Sequence, residues 1–555
     1  MKLKVLLIYF VLFCCGINSF GQNVRVWASY FGGNADEFNQ AIAADASGNV
    51  YLTGYTSSTT GIASGGFQNT NAGNTDAYLA KIDNNGNLLW ATYYGGSLYD
   101  YGKSVVVDAS GNVYLGGSTN STSGIASGGM QNVYGGGPGD AFLVKFDAAG
   151  NRLWATYIGG HGYEEGYGLG KDNLGNVFLT GSTTSTSNIA ASGFNNSYSG
   201  GTSDAYLIKF DGAGNRLWGT YYGDTGDEWG WSIAADASNN VYLSGATSSS
   251  VGIASGGFQN TISAGYDDAF LVKFNSSGAR IWATYYGNTG NEEGTGVCTD
   301  SFGDVYMAGF TESTGGISSG GFQNTYGGGL TDLFLVKFNS SGNRLWATYY
   351  GGALEEESGN VVYDGSGFVY MAGDSYSNSG IASGGYQNSL TGIENQLVVK
   401  FSLSGTRMCA TYYGQVHDEF GNVASDNLGN IFISGSTQGT SGIASGGFQN
   451  TYAGGLFDAY VAKFNTCSQT GIEEKNETDE IKIYPNPCAE KIYFYGNEQS
   501  DLKQVEIIDL LGKRITVKLN GNSIDVSDLN DGIYFLSFSG KEKSGKLKFC
   551  KALSR

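Results

Sequence analysis

Carboxylates recur along this chain at a spacing that could hold a hard cation. Glu37, Asp100, Glu164, Glu228, Glu292, Glu356 and Asp418 each stand eight residues before the Asp that opens a turn: Asp45, Asp108, Asp172, Asp236, Asp300, Asp364 and Asp426. A second acid often adjoins the first, as at Asp36, Glu165, Asp227, Glu293, Glu357 and Glu419. Carboxylates with loop carbonyls suit Ca²⁺, which takes six to eight oxygens. The same acids could instead accept backbone N–H bonds and tie one repeat to the next, a structural acidic ring. The turn acids head Asp-x-x-Gly-Asn-like runs, where a hydrogen bond from the Asp side chain to its own turn suffices. Their spacing does not match an EF-hand loop.

Other side chains could bind rather than react. Six long loops carry a Gln beside an aromatic or Met residue, at Gln68, Gln131, Gln259, Gln323, Gln387 and Gln449, within versions of Gly61-Ile-Ala-Ser-Gly-Gly-Phe-Gln-Asn69. The amides could contact a ligand, or they could anchor the loop while Ile and Phe pack beneath it. Trp229 and Trp231 flank Gly230 in a turn where other copies vary, and could stack on a sugar ring or plug a channel. The two histidines, His161 and His417, sit in separate turns beside acids, so multi-His metal and Ser-His chemistry lack parts. Gly316-Ile-Ser-Ser-Gly320 matches a nucleophile motif only because Ala became Ser in one copy of the loop. No catalytic residue is assigned. A glycosidase or lyase needs only two carboxylates, and stays as an alternative. The net charge of −20 disfavours nucleic acid and anionic lipid.

These residues must be positioned by a repeated unit. The run Trp27-Ala-Ser-Tyr-Phe-Gly restarts at Trp90, Trp154, Trp218, Trp282, Trp346 and Cys409, so a segment of about 64 residues occurs seven times. Each copy reads as four strands, two tight hairpins and one long loop; Ser104–Asp108, Val113–Gly117, Asp140–Phe146 and Arg152–Gly160 show the pattern. With 90 Gly, 38 Tyr and 30 Phe, the composition suits an all-β protein. Four strands per unit predict propeller blades once the long loop is set aside. The first strand, beginning at Arg25, is a lone fourth strand, and the seventh copy stops at its third, Asp458–Phe464. The expectation is a seven-bladed β-propeller whose N-terminal strand closes the last blade, rather than a β-solenoid with polar caps. The long loops then share one face with the turns that join successive blades, a usual place for binding residues.

Residues 1–21 read as a secretory signal peptide, with Lys2 and Lys4 before an apolar core. Cys14 and Cys15 raise a lipoprotein alternative, against which Phe13 is too bulky. No other apolar run is long enough to span a membrane. Beyond the signal, Cys298, Cys409, Cys467, Cys488 and Cys550 are too few for a disulfide framework. The expected division is 22–464 for the propeller, 465–480 for an acidic linker and 481–555 for a small C-terminal β-sandwich.

The repeats, through segments such as Asp-x-x-Gly-Asn-Val-Tyr and Asp-Ala-Phe-Leu-Val-Lys-Phe, resemble the bacterial SBBP β-propeller repeat, which implies a propeller but no single activity. The tail, through Tyr484, Pro485, Asn486, Pro487 and Gly532, Ile533, Tyr534, resembles the type A sorting domain of the type IX secretion system of Bacteroidota. That resemblance implies recognition by the type IX machinery, passage through the outer membrane with removal of the domain, and release outside the cell or attachment to its surface polysaccharide, after the Sec export to the periplasm that the signal peptide implies. The leading functional expectation is a non-catalytic binding or adhesion propeller for a glycan or surface protein. A purely structural surface module and a glycan-active hydrolase or lyase are the alternatives.

Overall fold

The computed structural model describes residues 25–465 throughout, and 482–551 apart from short stretches. The signal peptide, nearly all of the linker and Pro485, Asn486 and Pro487 lie outside the described residues. Contacts divide the chain into two units, Met1–Gly471 and Ile472–Arg555.

The first unit is a succession of four-stranded antiparallel sheets, seven among the described residues. In the first sheet, Glu37–Ala44, Val50–Thr56, Asp76–Ile82 and Leu88–Tyr94 pair in sequence order. The first hairpin shows why the chain turns where it does. Asp45 Oδ1 accepts the N–H groups of Ser47 and Asn49, both at 2.9 Å, and Gly48 takes φ 77°. Only a residue without a Cβ enters that conformation readily. The last sheet is assembled from both ends of the unit. Arg25–Phe31 pairs antiparallel with Asp458–Asn465, which continues to Asn430–Thr437 and Asp418–Ser425.

Successive sheets pack face to face, so the core lies between them. One cluster joins Tyr51, Leu79 and Tyr94 of the first sheet to Val113, Phe142 and Phe146 of the second. Another joins Trp27, Phe31 and Val461 of the last sheet to Leu52, Tyr78 and Ile82 of the first. The repeated tryptophans stitch the sheets together. Each indole N–H donates to a carbonyl in the second hairpin of the next sheet, as in Trp90 to Ala148 (3.1 Å), Trp154 to Gly212 (3.1 Å) and Trp27 to Asn84 (3.0 Å). Cys409 replaces the indole in one copy; it is disulfide-bonded, whereas Cys298 carries a reduced thiol. The first strands of successive sheets contact one another, and Asp418–Ser425 contacts Glu37–Ala44.

The second unit contains two four-stranded sheets among its described residues. Its core includes Ile492, Phe494, Ile507, Ile524 and Leu536. Gly532–Gly540 pairs on both sides, with Leu502–Asp509 and Ser544–Lys551. Tyr534 of the sorting motif is buried there, its hydroxyl donating to Asn530 O at 2.9 Å.

Deleting residues through Phe31 should lower the thermal midpoint and produce concentration-dependent self-association, because Asp458–Asn465 becomes an unpaired, apolar edge. Scanning calorimetry and size-exclusion chromatography check this; an unchanged midpoint and elution would show that the strand is dispensable.

Candidate functional site

The seven repeated acids open the first strands and are fully buried, at 0% exposure. Each is held by donors. Glu37 accepts Gly33 N–H at 2.8 Å and the Thr56 hydroxyl at 2.6 Å. Glu164 accepts Gly160 N–H at 3.0 Å and the Thr183 hydroxyl at 2.7 Å, and Glu292 accepts Asn288 N–H at 2.9 Å and the Thr311 hydroxyl at 2.5 Å. Asp100, Glu228, Glu356 and Asp418 likewise accept a backbone N–H from the preceding turn. Burial, partly offset by these hydrogen bonds, pushes Glu37, Glu228 and Glu292 up to about 7. N–H and O–H protons aimed at the oxygens repel a cation, so this donor set does not fit a Ca²⁺ site. Among the described residues no cluster of three or more His, Cys, Asp or Glu side chains could hold a metal.

The sequence missed a second buried acid in six of the seven repeats, at the start of the third strand: Asp76, Asp140, Asp204, Asp268, Asp332 and Asp458, with the amide Asn395 in its place in the sixth copy. Only the pattern Asp-Ala-Phe-Leu-Val-Lys-Phe hinted at it, and there the Asp read as a strand boundary.

The loop glutamines are engaged within the chain. Gln68 Nε2 donates to Thr70 O (3.0 Å) and Asp76 Oδ2 (2.8 Å), while its Oε1 accepts Gly95 N–H (3.2 Å). Gln131, Gln259, Gln323 and Gln449 similarly bridge a loop carbonyl and the Gly that ends a fourth strand.

Trp229 and Trp231 are not in a turn, as the sequence suggested, but are the second and fourth residues of the strand Glu228–Ala235. The fourth position is a β-bulge: the register shifts between Gly230 and Ser232, between Gly166 and Gly168, and between Gly102 and Ser104. A bulged residue leaves the ladder and its side chain is re-aimed. Three bulged side chains from successive sheets therefore meet. Lys103 Nζ lies 4.6 Å from the Tyr167 ring centre, and Tyr167 and Trp231 rings are 4.4 Å apart. Lys103 also pairs with Glu165, which accepts the Tyr163 hydroxyl. Burial raises the pKa of Glu165, but Lys103 and the phenols outweigh it and hold the carboxyl below its usual value. Burial and then Asp267 push Glu293, beside Trp231, up to about 7.

A cavity of about 400 Å³ opens where the sixth copy meets the seventh, lined by Tyr386, Gln387, Asn388, Thr391, Tyr413 and Gln415 and, from the seventh copy's loop, Ile443 among others. The repeat departs from itself here. Tyr386 stands where most copies have Phe, Asn395 where they have Asp, and Gln415 where several have Gly. Tyr386 is 40% exposed and Arg25 lies over its ring at 5.3 Å.

Gly287→Ala should destabilise the fold by about 1–3 kcal/mol in urea unfolding, as overpacking of a core does. A Cβ there would lie 2.4 Å from Glu292 Oε2 and 2.5 Å from Asp268 Oδ1. An unchanged midpoint would mean the carboxylates are not clamped.

Two family models match. Residues 482–551 match the Secretion system C-terminal sorting domain, and residues 89–124 and 153–187 match the Beta-propeller repeat. An uncharacterised WD repeat-containing protein of Acanthamoeba polyphaga mimivirus is 27% identical over 241 residues, 38% of this chain and 17% of that protein. Regulatory protein FlaEY of Caulobacter vibrioides is 24% identical over 173 residues, 31% of this chain and 18% of its own length. The chain thus spans under a fifth of either relative. Among solved structures, a Dyadobacter fermentans protein of unknown function aligns with TM-score 0.37 and 8% identity, over 80% of this chain and 99% of that one. A polysaccharide lyase described as an ulvan lyase aligns with TM-score 0.38 and 11% identity, over 75% and 93%. The sequence carries SBBP β-propeller repeats and, at residues 482–551, a type IX secretion sorting domain, which indicates export to the cell surface or the extracellular space.

Proposed function

We propose that residues 22–464 form a closed seven-bladed propeller, delivered outside the cell by the type IX machinery, that binds a neutral glycan without turning it over. The carrying observation is the cavity at the sixth copy, whose lining includes two departures from the repeat, Tyr386 and Gln415. Its named lining offers two tyrosines, two glutamines, an asparagine and a threonine, and no carboxylate. A tyrosine face with amides and hydroxyls is suited to a sugar's alternating C–H and O–H surfaces. About 400 Å³ falls at the small end of ligand pockets. The loop glutamines build the wall of this face, and the repeated acids serve as blade-to-blade hydrogen-bond acceptors rather than Ca²⁺ ligands.

A second reading rests on Glu165 and Glu293. Both carboxylates stand near Tyr167, one held down beside Lys103 and the other pushed up by burial beside Trp231, and two acids at one site with separated pKa values are what a glycosidase requires.

Glycan-array binding followed by calorimetry separates the two. Tyr386→Ala and Gln415→Ala should each weaken retention at least about tenfold, a loss of about 1.4 kcal/mol, with no product formed by the parent chain. Turnover abolished by Glu293→Gln, with retention indifferent to Tyr386→Ala, would establish the hydrolase reading instead.

A further inference from the structure

The repeat contains its own control experiment. In six copies a third-strand Asp faces the acid that opens the next first strand: Asp76 with Asp100, Asp140 with Glu164, Asp204 with Glu228, Asp268 with Glu292, Asp332 with Glu356, and Asp458 with Glu37. All twelve side chains are fully buried. In five copies one oxygen of each partner lies within 2.9 Å of the point where a Cβ on the intervening glycine would sit, for example Asp268 Oδ1 at 2.5 Å and Glu292 Oε2 at 2.4 Å around Gly287. The two oxygens of each Asp are not equivalent. Oδ2 accepts a loop N–H, from Ala72, Gly135, Ser199, Ser263, Gly327 or Ala453, at 2.6 to 2.9 Å. Oδ1 is buried and has no hydrogen-bond partner in any of the six.

The sixth copy shows what Oδ1 needs. Asn395 Oδ1 accepts Thr391 N–H at 2.8 Å, which is the role of Asp Oδ2 elsewhere. A backbone donor cannot be turned into an acceptor, so this bond fixes the amide's orientation. Nδ2 then occupies the place of the orphaned Asp Oδ1, and donates to Asp418 Oδ2 at 3.0 Å. The site therefore demands a donor, and a side-chain amide is isosteric with a protonated carboxyl. We infer that each of the six Asp–acid pairs binds one proton, carried on Asp Oδ1 and donated to the partner carboxylate, so that the folded chain holds six structural protons.

The surrounding charges favour the same state. Asp224 stands near Asp204, Asp267 near Asp268 and Asp36 near Asp458, all raising the cost of ionisation. The other ionisable neighbours are phenols: Tyr93 beside Asp76 and Glu37, Tyr157 beside Asp100 and Asp140, Tyr221 beside Glu164 and Asp204, Tyr285 beside Glu228 and Asp268, Tyr349 beside Glu292 and Asp332, Tyr30 beside Asp458. His417 stands beside Asp418, in the copy where the amide replaces the proton. Burial above all pushes the six Asp carboxyls to about 6 or 7. Because two coupled groups share each proton, the value belongs to the pair.

The sign follows from linkage. Folded values lie above the unfolded value of about 4, so the folded state binds more protons between about pH 4 and pH 7. Stability is greatest at the acid end of that window and falls as pH rises through it.

Calorimetric unfolding of the full chain tests this, with buffers of different ionisation enthalpy used to count protons released near about pH 5.5. Asp140→Asn, Asp204→Asn and Asp268→Asn should each remove up to about one released proton and raise the midpoint near about pH 8, while Asn395→Asp should lower it there and recover near about pH 5. Unchanged proton counts, or Asp→Asn variants that melt lower near about pH 8, would overturn the inference. So would a parent midpoint raised by Ca²⁺ and lowered by EDTA, with the response lost in the triple Asn variant, since a metal ion would then occupy the place of the protons.

Discussion

Everything in the first unit depends on the acid that opens each first strand. It sits at the crossing from one sheet to the next, buried, and binds the turn it follows and the second strand beside it. In the first sheet those contacts are Gly33 N–H and the Thr56 hydroxyl on Glu37. A buried carboxylate without such donors would be expelled or neutralised. Its requirement for donors thus ties the start of each first strand to the turn before it and to the second strand beside it. The tryptophans fasten the outer part of the same interface, each from a fourth strand to the next sheet's second hairpin. Acid and, in six of the seven copies, indole thus bind the chain at two separate points where neighbouring sheets meet.

The sequence displayed the architecture because the architecture is repeated. Alternating apolar strands, Gly-Asn turns and the recurring indole are local signals, and seven copies average away the noise in any one. The pairing of Arg25–Phe31 with Asp458–Asn465 was legible for the same reason, since a leftover fourth strand and a missing one are visible as a count. What the sequence concealed lies between repeats. The bulge that re-aims Lys103, Tyr167 and Trp231 is an extra residue in a register, and register is set by the partner strand. The two tryptophans consequently looked like turn residues. The third-strand acids looked like strand boundaries, because an Asp beside an apolar run gives no sign that it faces another acid across a sheet interface.

Repetition also supplies a background against which function stands out. A feature present in every copy solves a problem every copy has, such as turn formation or burial of the acids. Features present once belong to the molecule rather than to the repeat. Tyr386 and Gln415 fall in one place by this criterion, and the Lys103–Tyr167–Trp231 row in another. Both involve side chains that the common scaffold does not need, set on strands and loops that it holds rigid.

The shared last sheet has a consequence for the order of folding. Arg25 pairs with Phe464, so the strand that comes first within this unit is the last of it to find its partner. Six sheets are local in sequence and can form as the chain emerges, each templating the next. The seventh requires closure of a loop spanning the whole unit, at an entropic cost that local contacts cannot offset until the other sheets have shortened the gap. The first strand therefore behaves as a latch, idle through most of assembly and engaged only once every intervening sheet is correct. A chain with one faulty sheet would keep that latch open, presenting an unpaired strand that distinguishes an unfinished molecule from a finished one.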